Sequence, residues 1–322
     1  MRRVLIGVAI AALIAGTGAC GSSDDGTAGS TDSSGVDQVK VGVIPIVDVA
    51  PIYLGQQKGF FTNRKINLTM ESGQGGAAIV PGVVSGQFQF GFSNFTSLLL
   101  AQTKNVPIKA VSAGVSSVGE QGKDFGGVVV NANSPVKTAA DLAGKKISVN
   151  TLKNIGDTTV RESVRKAGGD PSKINFVEMP FPNAPAALAG GQVEASWLVE
   201  PQLSQAKAAG ARLVASNFVD AAPNLSVAAY FTSTKLEGED ADLVKRFTEA
   251  INESLAYADA HPDEVRAVLG TYTKIDEKTR AAMILPKWPT EINKDSVQTL
   301  ADLGAKDGIF DGKTPDLAKL LP

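Results

Sequence analysis

The chain has 322 residues, 43% of them hydrophobic and 20% charged, which is material for two ordinary cores. Thirty-one basic residues against 33 acidic ones leave a formal charge of −2, which argues against a nucleic-acid surface or a polybasic membrane face. One cysteine and one histidine exclude a Cys/His metal centre and a disulfide framework, and no cofactor is expected.

The chain opens on Met1-Arg2-Arg3, followed by an apolar run over residues 4–16 that is too short to span a bilayer comfortably. Thr17-Gly18-Ala19-Cys20 ends it with small residues before the single cysteine. Residues 1–19 therefore read as a secretory signal peptide whose end resembles the bacterial lipobox, with Thr17 in place of the usual leucine and Cys20 as the lipidation site; an ordinary signal peptide cut near Ala19 is the alternative. Residues 21–35 are polar but for Ala28 and cannot bury anything. Residues 20–36 form a lipidated, flexible tether with a reach on the order of 20 Å.

Residues 39–44 alternate like a buried strand, Pro45 and Pro51 punctuate the loop between them, and residues 52–58 read as a helix stopped by Gly59. In open α/β sheets the ligand crevice lies beyond the carboxyl ends of the strands, which places Asp48 and Tyr53 at the mouth of a site. A second strand over residues 66–71 leads through Ser72-Gly73-Gln74-Gly75-Gly76 into a helix near residues 77–84, with Pro81 expected to shorten or kink it. Gln74 and Gly75 are candidate contacts, because glycines let backbone amides approach a ligand. A third strand over residues 88–92 ends at Ser93 and Asn94, a helix runs to Gln102, and a fourth strand covers residues 108–113. The first crossing between lobes is expected near residues 124–127.

The second half repeats the plan. Residues 145–150 form a strand, and a helix opens at Asp157-Thr158-Thr159. Residues 66–71 match 174–179, and residues 85–92 match 190–197. Three paired segments in one order predict an α/β protein of two lobes with similar topology. Pro180-Phe181-Pro182-Asn183 holds the place of the first Gly-rich turn, and the next strand ends at Trp197-Leu198-Val199-Glu200-Pro201. Residues 228–232 are expected to return the chain to the first lobe. Residues 240–259 form an amphipathic helix with Leu243, Phe247, Ala250, Ile251, Leu255 and Ala258 on one stripe. Lobe 1 is thus expected over residues 37–126 and 230–322, lobe 2 over residues 127–229.

Asp48, Asp157 and Glu200 are the acids on the expected cleft, against helix capping as the plainer role for each. Lys153 is the one cation near them and no arginine falls beside them. A ligand with an amine, hydroxyls or heteroaromatic nitrogens suits this set, and a sulfonate remains open through helix N-termini. Tyr53, Phe95, Phe181 and Trp197 are candidate walls. Asn94, Asn154 and Asn183 recur at corresponding mouth positions, with Thr158 beside Asp157. His261 reads as a surface residue at a helix start.

Taken together, the lipobox, residues 41–43 through Pro51-Ile52-Tyr53-Leu54, Lys58-Gly59-Phe60-Phe61, Gly86, residues 141–147, residues 191–195 and residues 197–201 resemble the substrate-binding proteins of bacterial ABC importers. The resemblance is strongest to the nitrate, alkanesulfonate, taurine and thiamine-pyrimidine group, and it covers about residues 38–315. Gln89 departs from the aspartate frequent there and reads as a structural position. The resemblance implies a periplasmic binding protein type II fold: two Rossmann-like lobes joined by a two-segment hinge. It also implies a monomer that does no chemistry itself, closes on a small-molecule ligand, is held to the membrane through its N-terminal lipid alone, and docks on ABC permease and ATPase subunits. The yeast thiamine-pyrimidine synthases share the fold but depend on histidine and a cysteine cluster, which this sequence lacks. A ligand-sensing lipoprotein acting through a signalling partner is the alternative function. A hydrolase using two of Asp48, Asp157 and Glu200 is the remaining enzyme reading.

Overall fold

The computed structural model describes residues 35–322; the signal segment, Cys20 and all but the last two residues of the tether lie outside the described residues. Ten strands form two five-stranded sheets. They are β1 (Asp37–Val43), β2 (Ile66–Ser72), β3 (Phe90–Asn94), β4 (Ile108–Ser116), β5 (Gly126–Val130), β6 (Lys146–Val149), β7 (Asn175–Glu178), β8 (Ala195–Val199), β9 (Arg212–Ala215) and β10 (Ser226–Ser233). The helices in chain order are α1 (Ala50–Gln57), α2 (Gly76–Val84), α3 (Phe95–Thr103), α4 (Ile155–Lys166), α5 (Ala184–Ala189), α6 (Gln202–Ala208) and α7 (Asn217–Ala221). After β10 come α8 (Thr234–Glu239), α9 (Ala241–Ala260), α10 (Pro262–Tyr272), α11 (Glu277–Ala282), α12 (Lys294–Lys306) and α13 (Leu317–Leu320).

The first sheet has the order β2-β1-β3-β10-β4 and the second the order β7-β6-β8-β5-β9. Three strands of each run parallel to their neighbours, and the fourth position is antiparallel to both of its partners: β10 in the first sheet, β5 in the second. The duplicated plan read from the sequence is therefore present strand for strand. In each sheet the antiparallel position is filled by the strand that follows a crossing. The two crossings lie side by side, with the Ser117 amide donating to the Leu225 carbonyl at 2.9 Å.

Several boundaries differ from the expectation, each for a local reason. The segment expected to be the return crossing, residues 228–232, is the interior of β10. All eight residues of β10 are buried, so no alternation marks it as strand, and the chain has already crossed back by Ser226. Residues 226–229 thus belong to the first sheet, and Gly126 already to the second. The third strand begins at Phe90 rather than Phe88, because the Phe88 amide still bonds to the Gly82 carbonyl in the turn that closes α2. Ser93 and Asn94 are consequently the last residues of the strand. Gln89 is structural: its buried side-chain oxygen accepts from the Lys40 amide at 2.8 Å. Helix α2 runs on through Pro81 to Val84. Helix α4 starts two residues before Asp157, because Asn154 is its cap.

The long helix α9 buries the expected stripe, and Phe247 on it stacks on Phe90 at 3.7 Å between centroids. Helices α1 and α9 meet at Gly55, where an added Cβ would stand 1.8 Å from the Ser254 hydroxyl, so only glycine allows this approach. The C-terminal helices are not confined to the first lobe: α11 packs on α6, and α12 packs on both α3 and α4.

Candidate functional site

The loops at the carboxyl ends of the parallel strands face one another across the sheets. They line an open-mouthed cavity of about 370 Å³, formed by residues 44–46 after β1, residues 72–74 at the end of β2, residues 180–183 after β7, and Gln202. Behind it lies a small chamber of about 20 Å³ that shares Ile44, Ile46 and Phe181 with it. Phe92, Asn94, Val227 and Ala228 reach the chamber from the first sheet and its neighbours; Asn150, Ile155, Trp197, Val199 and Phe218 reach it from the second. Asp48 completes the lining.

Asp48 sits in a single 3₁₀ turn, Val47–Val49, between β1 and the Pro51-initiated α1. It is 3% exposed. The Trp288 indole donates to its backbone carbonyl at 3.0 Å and holds the turn from the C-terminal region. Its Oδ1 has no hydrogen-bond partner. Burial pushes its carboxyl up from 3.8 to about 7; its own backbone amide opposes the rise and the nearby Asp124 adds to it.

Trp197, in the middle of β8 rather than at its end, is packed edge-on against Phe218 and tilted against Phe181, with centroid separations of 6.0 and 5.4 Å. Its indole N–H has no partner. Gly156 passes beneath the ring so closely that a Cβ there would fall 2.4 Å from it. Asn94 lines the chamber while capping α3: its oxygen accepts from the Ser97 amide at 3.0 Å. Gln74, Phe181 and Asn183 line the larger cavity. Gly75 stands at the lobe contact, where an added Cβ would meet Thr151 and Asn150 of the facing lobe at 2.7 and 3.0 Å. At the same place the Asn150 amide donates to the Gln74 carbonyl at 3.2 Å.

The other expected residues are turned to structural tasks. Asn154 and Asp157 form a reciprocal capping box on α4. Asn154 is fully buried and also donates to Asn150 and Thr151, while Asp157 accepts from the amides of Lys153 and Asn154. Burial raises the Asp157 carboxyl to about 6 against those bonds. The Thr158 hydroxyl donates to the Asn154 carbonyl within the same turn. Glu200 accepts from the Ser204 amide and hydroxyl, and burial raises its pKa. Ser93 is fully buried against Gly76 and donates to the Asn94 carbonyl. Tyr53 stacks face to face on Tyr272 at 4.0 Å and lines neither cleft space, and Phe95 is fully buried in the core. Lys153 pairs across the lobes with Asp311 at 2.9 Å.

Sequence reasoning missed Asn150, Phe92, Phe218 and Gln202. Asn150 is the last residue of a segment read as strand and Gln202 directly follows another, and that position is the available signal. Phe92 and Phe218 look like any core aromatic in sequence.

Comparison with known proteins agrees with this architecture. The model of the family described as NMT1/THI5 like matches residues 46–265. A protein of Bacillus subtilis (strain 168) that bears the name of an aliphatic sulfonates-binding protein is 22% identical over 280 residues, covering 85% of this chain and 79% of that protein. The alkanesulfonate-binding protein of Xanthomonas axonopodis pv. citri, solved bound to MOPS, superposes with a TM-score of 0.73 at 18% identity, covering 88% of this chain and 98% of that one. The periplasmic nitrate-binding protein of Synechocystis PCC 6803 superposes with a TM-score of 0.73 at 14% identity, covering 85% and 82%. The two-lobed fold is that of periplasmic binding proteins, and with a family match over more than half its length the chain belongs to the NMT1/THI5-like family.

Proposed function

We propose that the protein is the extracytoplasmic solute-binding subunit of an ABC importer, which captures a small organic molecule between its lobes and delivers it to a membrane permease. The observation that carries this reading is the cleft between two topologically equivalent lobes, walled by aromatic rings and holding a buried carboxylate oxygen without a partner. A folded chain tolerates such a group where a ligand supplies the missing donor. Relatives that bind sulfonates and nitrate in the same fold support a solute-binding role. The two adjacent hinge crossings suit opening and closing of the lobes.

The ligand-binding residues on this reading are Asp48, Asn94, Phe181 and Trp197, with Gln74 and Asn183 at the entrance. A lipid on Cys20 retains the protein at the outer face of the membrane. Thermal unfolding against sulfonates, taurine, nitrate, pyrimidines, amines, aromatic acids and sugars tests the function. A ligand at 100 times its dissociation constant stabilises by about 2.7 kcal/mol, a shift of several degrees. A ligand that shifts the midpoint and also shrinks the radius of gyration in solution scattering supports capture by closure. No shift from any member of the panel counts against it.

A further inference from the structure

The chemistry of the inner chamber narrows the ligand class, and this inference rests on the solute-binding reading. Among the residues lining the cavity and the chamber, Asp48 is the one ionisable side chain. An almost fully buried carboxylate without a partner on Oδ1 is costly until a counter-charge or donor meets it. The rings of Phe92, Phe181, Trp197 and Phe218 stand around the same space, and ring faces attract cations. Asn94 and Asn150 each keep one lone pair on a side-chain oxygen that already accepts a single bond.

An anion finds the unpartnered Trp197 indole N–H but no counter-charge. No lysine, arginine or histidine lines either space. Helix N-termini are the usual substitute: at α3 and α4 the Ser97 and Gly156 amides are already bonded to the side chains of Asn94 and Asn154, which leaves the start of α2, without a side-chain cap and just after Gln74, as a donor end beside the outer cavity. Size is the last constraint. The chamber has room for one water-sized group, and the adjoining cavity for a body of several heavy atoms.

We infer that the ligand is an organic cation whose small ammonium head enters the inner chamber against Asp48, while its less polar body lies in the outer cavity against Phe181, Pro180 and Pro182. The charged and titratable groups around Asp48 agree with this. Asp124, in the hinge, adds negative potential. Tyr53 on α1, Tyr230 on β10 and Tyr272 on α10 stay neutral, because burial pushes each hydroxyl above its ordinary value.

The test is calorimetric titration of the full chain in detergent micelles with n-butylamine and 2-phenylethylamine, and with butane-1-sulfonate and nitrate as the anionic counterparts. Asp48 titrates at about 7 while alkylamines stay protonated, so amine affinity should rise about 30-fold between about pH 5.5 and about pH 8.5. Asp48→Asn should abolish amine binding and remove that pH dependence. Its thermal midpoint, at or above that of the unmodified chain, shows that the fold is kept. Amines that fail to bind at either pH overturn the inference. If the anions bind instead, most tightly at the lower pH, Asp48 acts as a neutral donor: the inference falls and the solute-binding reading stands. If no probe binds, the inference falls as well, and the solute-binding reading is decided by the broader panel.

Discussion

Replacing Asp48 by asparagine should make the ligand-free protein more stable, and only above a definite pH. The folded chain holds the Asp48 proton more tightly than the unfolded chain, since burial raises the carboxyl from 3.8 to about 7. Stability from this group is therefore greatest at low pH, declines as pH rises from about 4, and levels off above about 7. The full shift corresponds to about 4 kcal/mol at pH 8, as a ceiling. Asparagine still buries an amide oxygen in the same place, which returns on the order of 1–2 kcal/mol of that cost. A net gain of about 2–3 kcal/mol remains, or roughly 5 °C in midpoint for a chain of this size. Thermal denaturation of both proteins from pH 5 to pH 8.5 reads the difference directly. Asp157 and Glu200, both raised by burial, titrate alike in both proteins and cancel, while the coupling of Asp124 to Asp48 is part of the difference being read. The variant's advantage should be near zero at pH 5 and open progressively toward pH 8. A constant difference across the range would show that Asp48 does not change protonation there, and the argument from its unpartnered oxygen would collapse.

Three other outcomes follow from the packing. Trp197→Ala removes a ring held by Phe181 and Phe218, so it should cost about 3–5 kcal/mol in denaturant unfolding as well as ligand affinity; an unchanged unfolding midpoint would contradict the packing. Gly75→Leu should leave the unfolding midpoint within about 1 kcal/mol but hold the lobes apart, because its side chain would collide with Thr151 and Asn150; scattering in the presence of ligand should then show no compaction. Cys20→Ser should move the protein from the membrane fraction to the soluble fraction, and persistence in the membrane would rule out the lipid anchor.

Much of the fold was legible because the two lobes repeat a strand, a loop and a helix with the same turn residues, and the repeats survive as matched strands β1 and β6, β2 and β7, β3 and β8. What escaped were features decided across the fold. The strand β10 is buried on both faces, so its sequence carries no alternation, and its role is set by β3 and β4 from a hundred residues earlier. Asn154 and Asp157 were drawn toward the cleft by their place after a strand. Yet Asn-x-x-Asp is also capping-box spacing, and the side chains spend their hydrogen bonds there. Asp48 could be placed at a site from Pro45 and Pro51. Its missing partner could not, since that depends on what residues from six separate segments leave uncovered.

The exchange of the antiparallel strand also sets a timetable. All five strands of the second sheet come from one stretch of the chain, residues 126–215, and can pair as soon as that stretch is available. The first sheet cannot. β4 is joined to it through β10 alone, so a chain growing from its N-terminus holds β2-β1-β3 with an open edge, and β4 without a partner in that sheet, until residue 233 has been added. The lobe that begins first is completed last, and any truncation before residue 226 leaves an unprotected strand edge where other chains can add.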